Sequence, residues 1–189
     1  MSKCKSSKKV IVALSGSIAC VKGLSLCLSL RHRDISVRVA MTNSACQFVN
    51  PLTLTAVSDA QVYSHIWENQ KSFPGELHME WAEWADLIVI APCTASLIAS
   101  LSLGFYDSPV SLLAGNINPS KWLIAPAMSQ NMWEQPAVQE NVARIKSWGA
   151  TFLWPVSGTV ASGGQGQRML EPREISEKID LFFTSKGRE

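Results

Sequence analysis

The sequence predicts an α/β protein, a doubly wound three-layer sandwich around a mostly parallel sheet. Three observations carry that prediction. Continuous runs of β-branched and aliphatic residues recur at Lys9–Leu14, Leu87–Ala91 and Trp122–Ala125, the pattern of strands buried on both faces. Each run stops at a turn signal, which is Ser15-Gly16-Ser17, Pro92 or Pro126. Stretches of helical spacing follow the runs, so strand and helix alternate along the chain.

Taken in order, Lys9–Leu14 is the first strand, and Ser15-Gly16-Ser17 is a turn that also supplies an N-cap hydroxyl. Ile18–Arg31 is predicted helical, with Val21, Leu24, Leu28 and Leu30 on its apolar side. Ile35–Met41 is the second strand, where Ser36 and Arg38 alternate with Val37 and Val39. Residues 9–41 thereby form one right-handed βαβ unit. Leu87–Ala91 is a strand stopped by Pro92, and Thr94–Leu103 a helix ending near Gly104. Trp122–Ala125 is a strand stopped by Pro126, and Pro136–Trp148 a helix with Gly149 as its C′ residue. Thr151–Leu153 is a short strand, residues 154–171 are read as a glycine-containing loop, and Pro172–Phe183 is a closing helix.

The 189 residues, 47% of them hydrophobic, suit one domain with a sizeable core. The domain is taken as residues 1–189, with 1–8 a flexible tail and 154–171 a flap. Only 17% of residues are charged, below the roughly 25% usual for soluble domains, so partner subunits are expected to cover part of the surface. The net charge of +2 argues against a nucleic-acid binder. No apolar run approaches the roughly 18 residues of a membrane span, and no membrane partner is expected. The five cysteines, Cys4, Cys20, Cys27, Cys46 and Cys93, are odd in number and lack CxxC spacing. That argues against a disulfide framework or a zinc site and for reduced thiols in a cytoplasmic protein. The run after Lys3, Lys5, Lys8 and Lys9 is too short for a signal peptide.

In open parallel sheets, ligands bind beyond the carboxyl ends of the strands. That rule selects Ser15–Ala19, Thr42–Phe48, Pro92–Leu97 and Pro126–Trp133. Backbone N–H groups and hydroxyls at Ser15-Gly16-Ser17 attract an anion, with a plain capped helix start as the alternative. The turn is not GxGxxG, so a mononucleotide phosphate fits better than a dinucleotide. Thr42-Asn43-Ser44 brings further donors to the same rim. His78, expected in a loop before Met79–Ala85, is a candidate general base, with a structural histidine as the alternative. His32 lies in a charged turn, and His65 has no catalytic pattern around it. Met128, Met132 and Trp133 suit either packing or the polarisable wall of a flat ligand. Gly163, Gly164 and Gly166, with Arg168, suit a mobile loop or a cover over a site.

Several motifs follow one another in a definite order. They are Gly16-Ser17-Ile18-Ala19 with Lys22; Met41-Thr42 with Ala45 and Phe48; and His78 before Trp84-Ala85-Asp86. Next come Ala91-Pro92 with Thr94-Ala95, then Gly104 and Asp107; Pro126-Ala127-Met128 with Met132-Trp133; and Gln165–Met169 before Glu171-Pro172. In this conjunction the chain resembles the flavin-dependent cysteine decarboxylases over about residues 8–175. Within them it is most similar to the phosphopantothenoylcysteine decarboxylases of coenzyme A biosynthesis.

The resemblance implies a flavodoxin-like fold that binds FMN between subunits of a homotrimer or homododecamer. It implies FMN contacts at Gly16, Ser17 and Ile18, at Thr42, Asn43 and Ser44, at Thr94, Ala95, Ser96 and Leu97, and at Ala127. It makes His78 the active-site histidine, puts Met169 in the substrate-covering flap, and places Ser129 and Asn131 at the substrate. The implied reaction is oxidative decarboxylation of a C-terminal cysteine. Hydride leaves Cβ for the flavin, carbon dioxide leaves the resulting thioaldehyde, and an enethiol forms. Return of the hydride, with a flap cysteine as proton donor, gives phosphopantetheine. Three positions depart from the family pattern. Ser129 replaces the asparagine that grips the substrate, and Asn131 is its nearest substitute. Ser162 replaces the flap cysteine, and Ser96 an asparagine near the flavin. A thiol is a better acid than an alcohol, so Ser162 leaves two alternatives: a peptidyl-cysteine decarboxylase that stops at the enethiol, or a non-catalytic flavin-binding subunit.

Overall fold

A computed structural model describes residues 8–66, 77–153, 156–159 and 165–186. Strand β1 (Lys9–Leu14) passes through a 3-10 turn (Ile18–Val21) into α1 (Lys22–Arg31) and β2 (Ser36–Met41). Then follow α2 (Pro51–Thr55), α3 (Leu77–Trp84), β3 (Leu87–Cys93), α4 (Ala95–Leu103) and α5 (Pro109–Gly115). The chain continues through β4 (Trp122–Pro126), β5 (Met128–Ser129), α6 (Gln130–Trp133), α7 (Pro136–Ser147) and β6 (Thr151–Phe152). It closes with β7 (Val156–Thr159), β8 (Gln165–Arg168) and α8 (Pro172–Lys186).

Five of these strands form one parallel sheet in the order β2-β1-β3-β4-β6. This is the flavodoxin-like order, with its switch point between β1 and β3. The continuous apolar runs are explained by what covers each face. Val10, Val12 and Leu14 of β1 enter one core with residues of α1, α2 and α8. Ile11 and Ala13 enter a second core with residues of α3, α4, α5 and α7. β3 splits in the same way, with Leu87, Val89 and Ala91 on the first side and Ile88 and Ile90 on the second. Its register then shifts between Ile90 and Cys93, and Cys93 joins the second core.

Four expectations need correction. The buried face of α1 is Gly23, Leu26, Cys27 and Leu30, whereas Val21 is 55% and Leu28 40% exposed. The true stripe falls at i, i+3, i+4 and i+7, the spacing that one packed face requires. β3 does not stop at Pro92 but runs through it to Cys93, which pairs with Pro126. His78 lies in the first turn of α3, not in a loop. The supposed loop 154–171 contains β7 and β8, which pair antiparallel from Val156↔Arg168 to Thr159↔Gln165. β8 also pairs with β5, forming a ribbon beside the main sheet. These strands, VSGT and QGQR, lack apolar alternation and owe their form to pairing.

Helices α2 and α5 were not anticipated. Each is announced by a cap and a proline: Asn50 accepts from the Leu52 N–H before Pro51, and Ser108 accepts from the Ser111 N–H before Pro109. Gly104, at φ +75°, closes α4 as expected.

Candidate active site

The rim beyond β1 and β3 is organised by one buried side chain. Ser15 donates its N–H to the Pro92 carbonyl at 3.1 Å. Its hydroxyl donates to that same carbonyl at 2.9 Å and accepts from the Thr94 N–H at 2.9 Å. Both sides of the switch point are thus stitched together. Thr94 in turn caps α4, its Oγ1 accepting from the Leu97 N–H at 3.4 Å. Ser17 caps the following 3-10 turn by accepting from the Ala19 N–H at 3.2 Å.

The end of β2 comes up against this turn. Thr42 donates its N–H to the Leu14 carbonyl at 3.0 Å, and its hydroxyl accepts from the Ala45 N–H at 3.2 Å. A Cβ on Gly16 would lie 2.4 Å from the Cβ of Ser44, so only glycine lets the two donor loops approach this closely.

These loops enclose a crevice of about 460 Å³, within the range of small-molecule sites. Gly16, Ser17, Thr42, Asn43, Ser44, Thr94, Ala95, Ser96, Leu97 and Ala127 all line it, as the sequence led us to expect. Ile18 stands beside it, 52% exposed, without lining it. Ser100 and Ser108 also line it and were not foreseen. Ser100 lies one helical turn after Ser96 on α4, the spacing that could have marked it. Among the described residues, the lining holds one charged side chain, Asp107, and no cation. An anion here is therefore met by hydroxyls and by the N–H groups of a helix start. Leu97, Ala127, Met128 and Met132 add an apolar wall, suited to a flat ring. The donor set, the close approach at Gly16 and the apolar wall together fit a flavin nucleotide.

The remaining expected residues are placed differently. His78 is half-buried on α3 and does not line this crevice. Its Nδ1 is buried and has no hydrogen-bond partner among the described residues. Ser129 is exposed and caps α6, accepting from the Met132 N–H at 3.4 Å. Asn131 is exposed, and its carbonyl accepts from Gln135 Nε2 at 3.1 Å. Met169 is 3% exposed and packs in the core beneath α1 and α8, which gives it no substrate-facing surface in this structure. Ser162 lies outside the described residues. Burial pushes the Cys27 thiol up to about 12 and raises that of Cys93 as well, leaving neither suited to nucleophilic work. The Cys20 thiol, also raised by burial, donates to the Ser15 carbonyl at 3.0 Å and so supports the rim.

A parallel sheet of flavodoxin-like order, with neutral donors and an apolar wall at its switch point, is the architecture of a nucleotide-binding protein. The chain belongs to the Flavoprotein family, whose model matches residues 1–184, and its cofactor is a flavin. The coenzyme A biosynthesis bifunctional protein CoaBC of Haemophilus influenzae is 37% identical over 180 residues, covering 95% of this chain and 44% of that protein. The chain thus spans less than half the length of that curated relative. A PPC decarboxylase mutant complexed with pantothenoylaminoethenethiol is 28% identical with a TM-score of 0.82, covering 94% of this chain and 99% of that one. The FMN binding protein AtHal3 is 27% identical with a TM-score of 0.80, covering 95% and 98%.

Proposed function

We propose that this protein is an FMN-dependent decarboxylase of a cysteine-derived carboxylate, converting phosphopantothenoylcysteine to phosphopantetheine in coenzyme A biosynthesis. The observation that carries the reading is the switch-point crevice, whose neutral donors and apolar wall suit a flavin mononucleotide. The similarity to CoaBC over 95% of the chain and to a PPC decarboxylase holding an enethiol supports the substrate class.

Bound FMN supplies a two-electron acceptor for oxidation at the substrate Cβ, which makes loss of carbon dioxide easy. The chain's part is binding, orientation and proton management. Ser17, Thr42 and Ser44 hold the phosphate, and Ser96, Leu97, Ala127 and Met128 bound the ring. His78 serves the substrate as a proton-handling group. It does so across a subunit boundary, which is why it stands away from the crevice of its own protomer. Ile18, Phe48 and Met132, exposed at 52%, 46% and 47%, offer apolar surface for such a homo-oligomer, a trimer or a dodecamer. We place the enzyme in the cytoplasm, in keeping with its reduced thiols; among the described residues no helix is long and apolar enough to cross a membrane.

The test is carbon dioxide release from phosphopantothenoylcysteine by the FMN-loaded protein, with the product mass recorded. His78→Asn is expected to lower the rate about 10²- to 10⁴-fold while FMN stays bound. Full activity in that variant would remove His78 from the mechanism. Ser162, standing where the resembling family has a cysteine, favours a second reading in which peptides ending in cysteine are oxidised to the enethiol and released. A product two hydrogens lighter than the saturated thiol identifies that outcome. Failure to release carbon dioxide from either substrate leaves a flavin-binding subunit without turnover.

A further inference from the structure

The imidazole of His78 has no hydrogen bond at Nδ1 among the described residues to set its direction. Without such a tether the ring keeps its χ1 and χ2 freedom, and the volume it can reach is bounded by where α3 holds its backbone. The seat of α3 therefore decides where His78 reaches.

Beside the apolar packing of Trp81, Leu77 and Ala82 in the second core, that seat is gripped by a cation. Arg38 projects from β2, with its side chain 17% exposed. Its guanidinium carbon lies 5.1 Å from the ring centre of Trp81 and 4.4 Å from that of Trp84. Its Nη1 donates to Glu80 Oε1 at 3.1 Å. All three partners belong to α3, within two turns of His78. Trp81 is itself buried, edge-on against Tyr63 at 5.8 Å. Glu80 is 63% exposed, and exposed ion pairs hold weakly. Stacking of a planar cation on two indoles is the stronger and more directional part of the contact. β2 ends at Met41, three residues further along, and the next residue, Thr42, lines the crevice. One short strand thus carries the grip on the histidine's helix and leads directly into the donors of the crevice.

We propose that Arg38 is a positioning residue for His78, holding α3 through Trp81, Trp84 and Glu80 at the angle that aims the imidazole. The inference rests on the reading of His78 as the proton-handling group. The chain has three histidines, His32, His65 and His78, so labelling histidine nitrogen yields three pairs of imidazole signals, one pair per ring, and His78→Asn identifies its pair by its loss. In FMN-loaded protein, Arg38→Met is expected to shift or broaden the His78 pair and leave the other two pairs in place. Because misplacement by about 1 Å can cost on the order of a hundredfold, kcat for carbon dioxide release should fall about ten- to a hundredfold with KM unchanged. Arg38→Lys, which keeps a charge for Glu80 but loses the flat stack, should fall between.

An unmoved His78 signal, or wild-type kcat in Arg38→Met, overturns the proposal. So does a fall in kcat matched by equal loss of bound FMN or by a general loss of thermal stability, because Arg38 would then be merely structural. Should Arg38→Met fail to fold, Arg38→Lys and Trp84→Leu carry the same comparison. If the unsubstituted protein releases no carbon dioxide, the proposed function fails, and the imidazole signal alone decides this inference.

Discussion

Replacing Gly16 by alanine tests the crevice most directly. The added methyl would sit 2.4 Å from the Ser44 Cβ and 3.2 Å from the Ser44 carbonyl carbon, where ordinary contact begins at 3.4 Å. The loops ending β1 and β2 must then part by about 1 Å at their closest point. The effect is steric, because positive φ among the described glycines occurs only at Gly104 and Gly149. Overpacking of this kind costs about 1–3 kcal/mol. If that cost falls on the donor geometry that meets the phosphate, Kd for FMN rises roughly 5- to 150-fold. Titration of the apoprotein with FMN, followed by quenching of flavin fluorescence, reads this directly. Removing the opposing Cβ with Ser44→Gly in the same chain should recover part of the affinity lost to Gly16→Ala. Wild-type affinity in Gly16→Ala would show that the contact between these loops has no part in holding the nucleotide.

Three further outcomes are expected. Ser15→Ala leaves the Thr94 N–H without its acceptor and should lower unfolding stability by about 1–3 kcal/mol in urea titrations, with FMN affinity falling alongside. The buried Cys27 thiol keeps its proton up to about 12, whereas an ordinary thiol yields it near 9.0. Below that lower value both states are protonated and the stability is fully present; above it the unfolded chain releases the proton and gains. Unfolding free energy should therefore drop by up to about 1.4 kcal/mol per pH unit over that window, and urea titrations of Cys27→Ala should show a shallower fall. Ser162→Cys should raise the proportion of saturated thiol over enethiol in the product mass spectrum, and an unchanged ratio would remove this position from the reductive step.

The strands of the central sheet were legible because burial on both faces writes an unbroken apolar run, and the crevice segments followed from where those runs end. Ten of the residues expected to contact the cofactor line one cavity because they sit at strand ends or in adjoining first helical turns, the places where a parallel sheet gathers its loops. The errors have physical causes too. Val21 and Leu28 were assigned to the core of α1 because apolar residues crowd that stretch, yet Gly23 and Cys27 belong to its packed face. Pro92 looked like a terminator, but its carbonyl serves Ser15 and the strand continues to Cys93. The ribbon of β5, β7 and β8 is polar and rich in glycine, so its pairing leaves no trace in hydropathy. Arg38 read as one member of an alternation, and its stacking on Trp81 and Trp84 depends on how β2 and α3 meet.

The ribbon carries an implication for how this architecture can diversify. Met128 both walls the crevice and pairs with Gln167, and Ser129 beside it pairs with Gly166. A slip of one residue in that pairing would turn Met128 to the opposite side, so the junction tolerates little change. Lengthening the segment that joins β7 to β8 adds only slowly growing closure entropy. Selection can therefore vary the length and sequence of this segment while the crevice at the switch point is inherited intact.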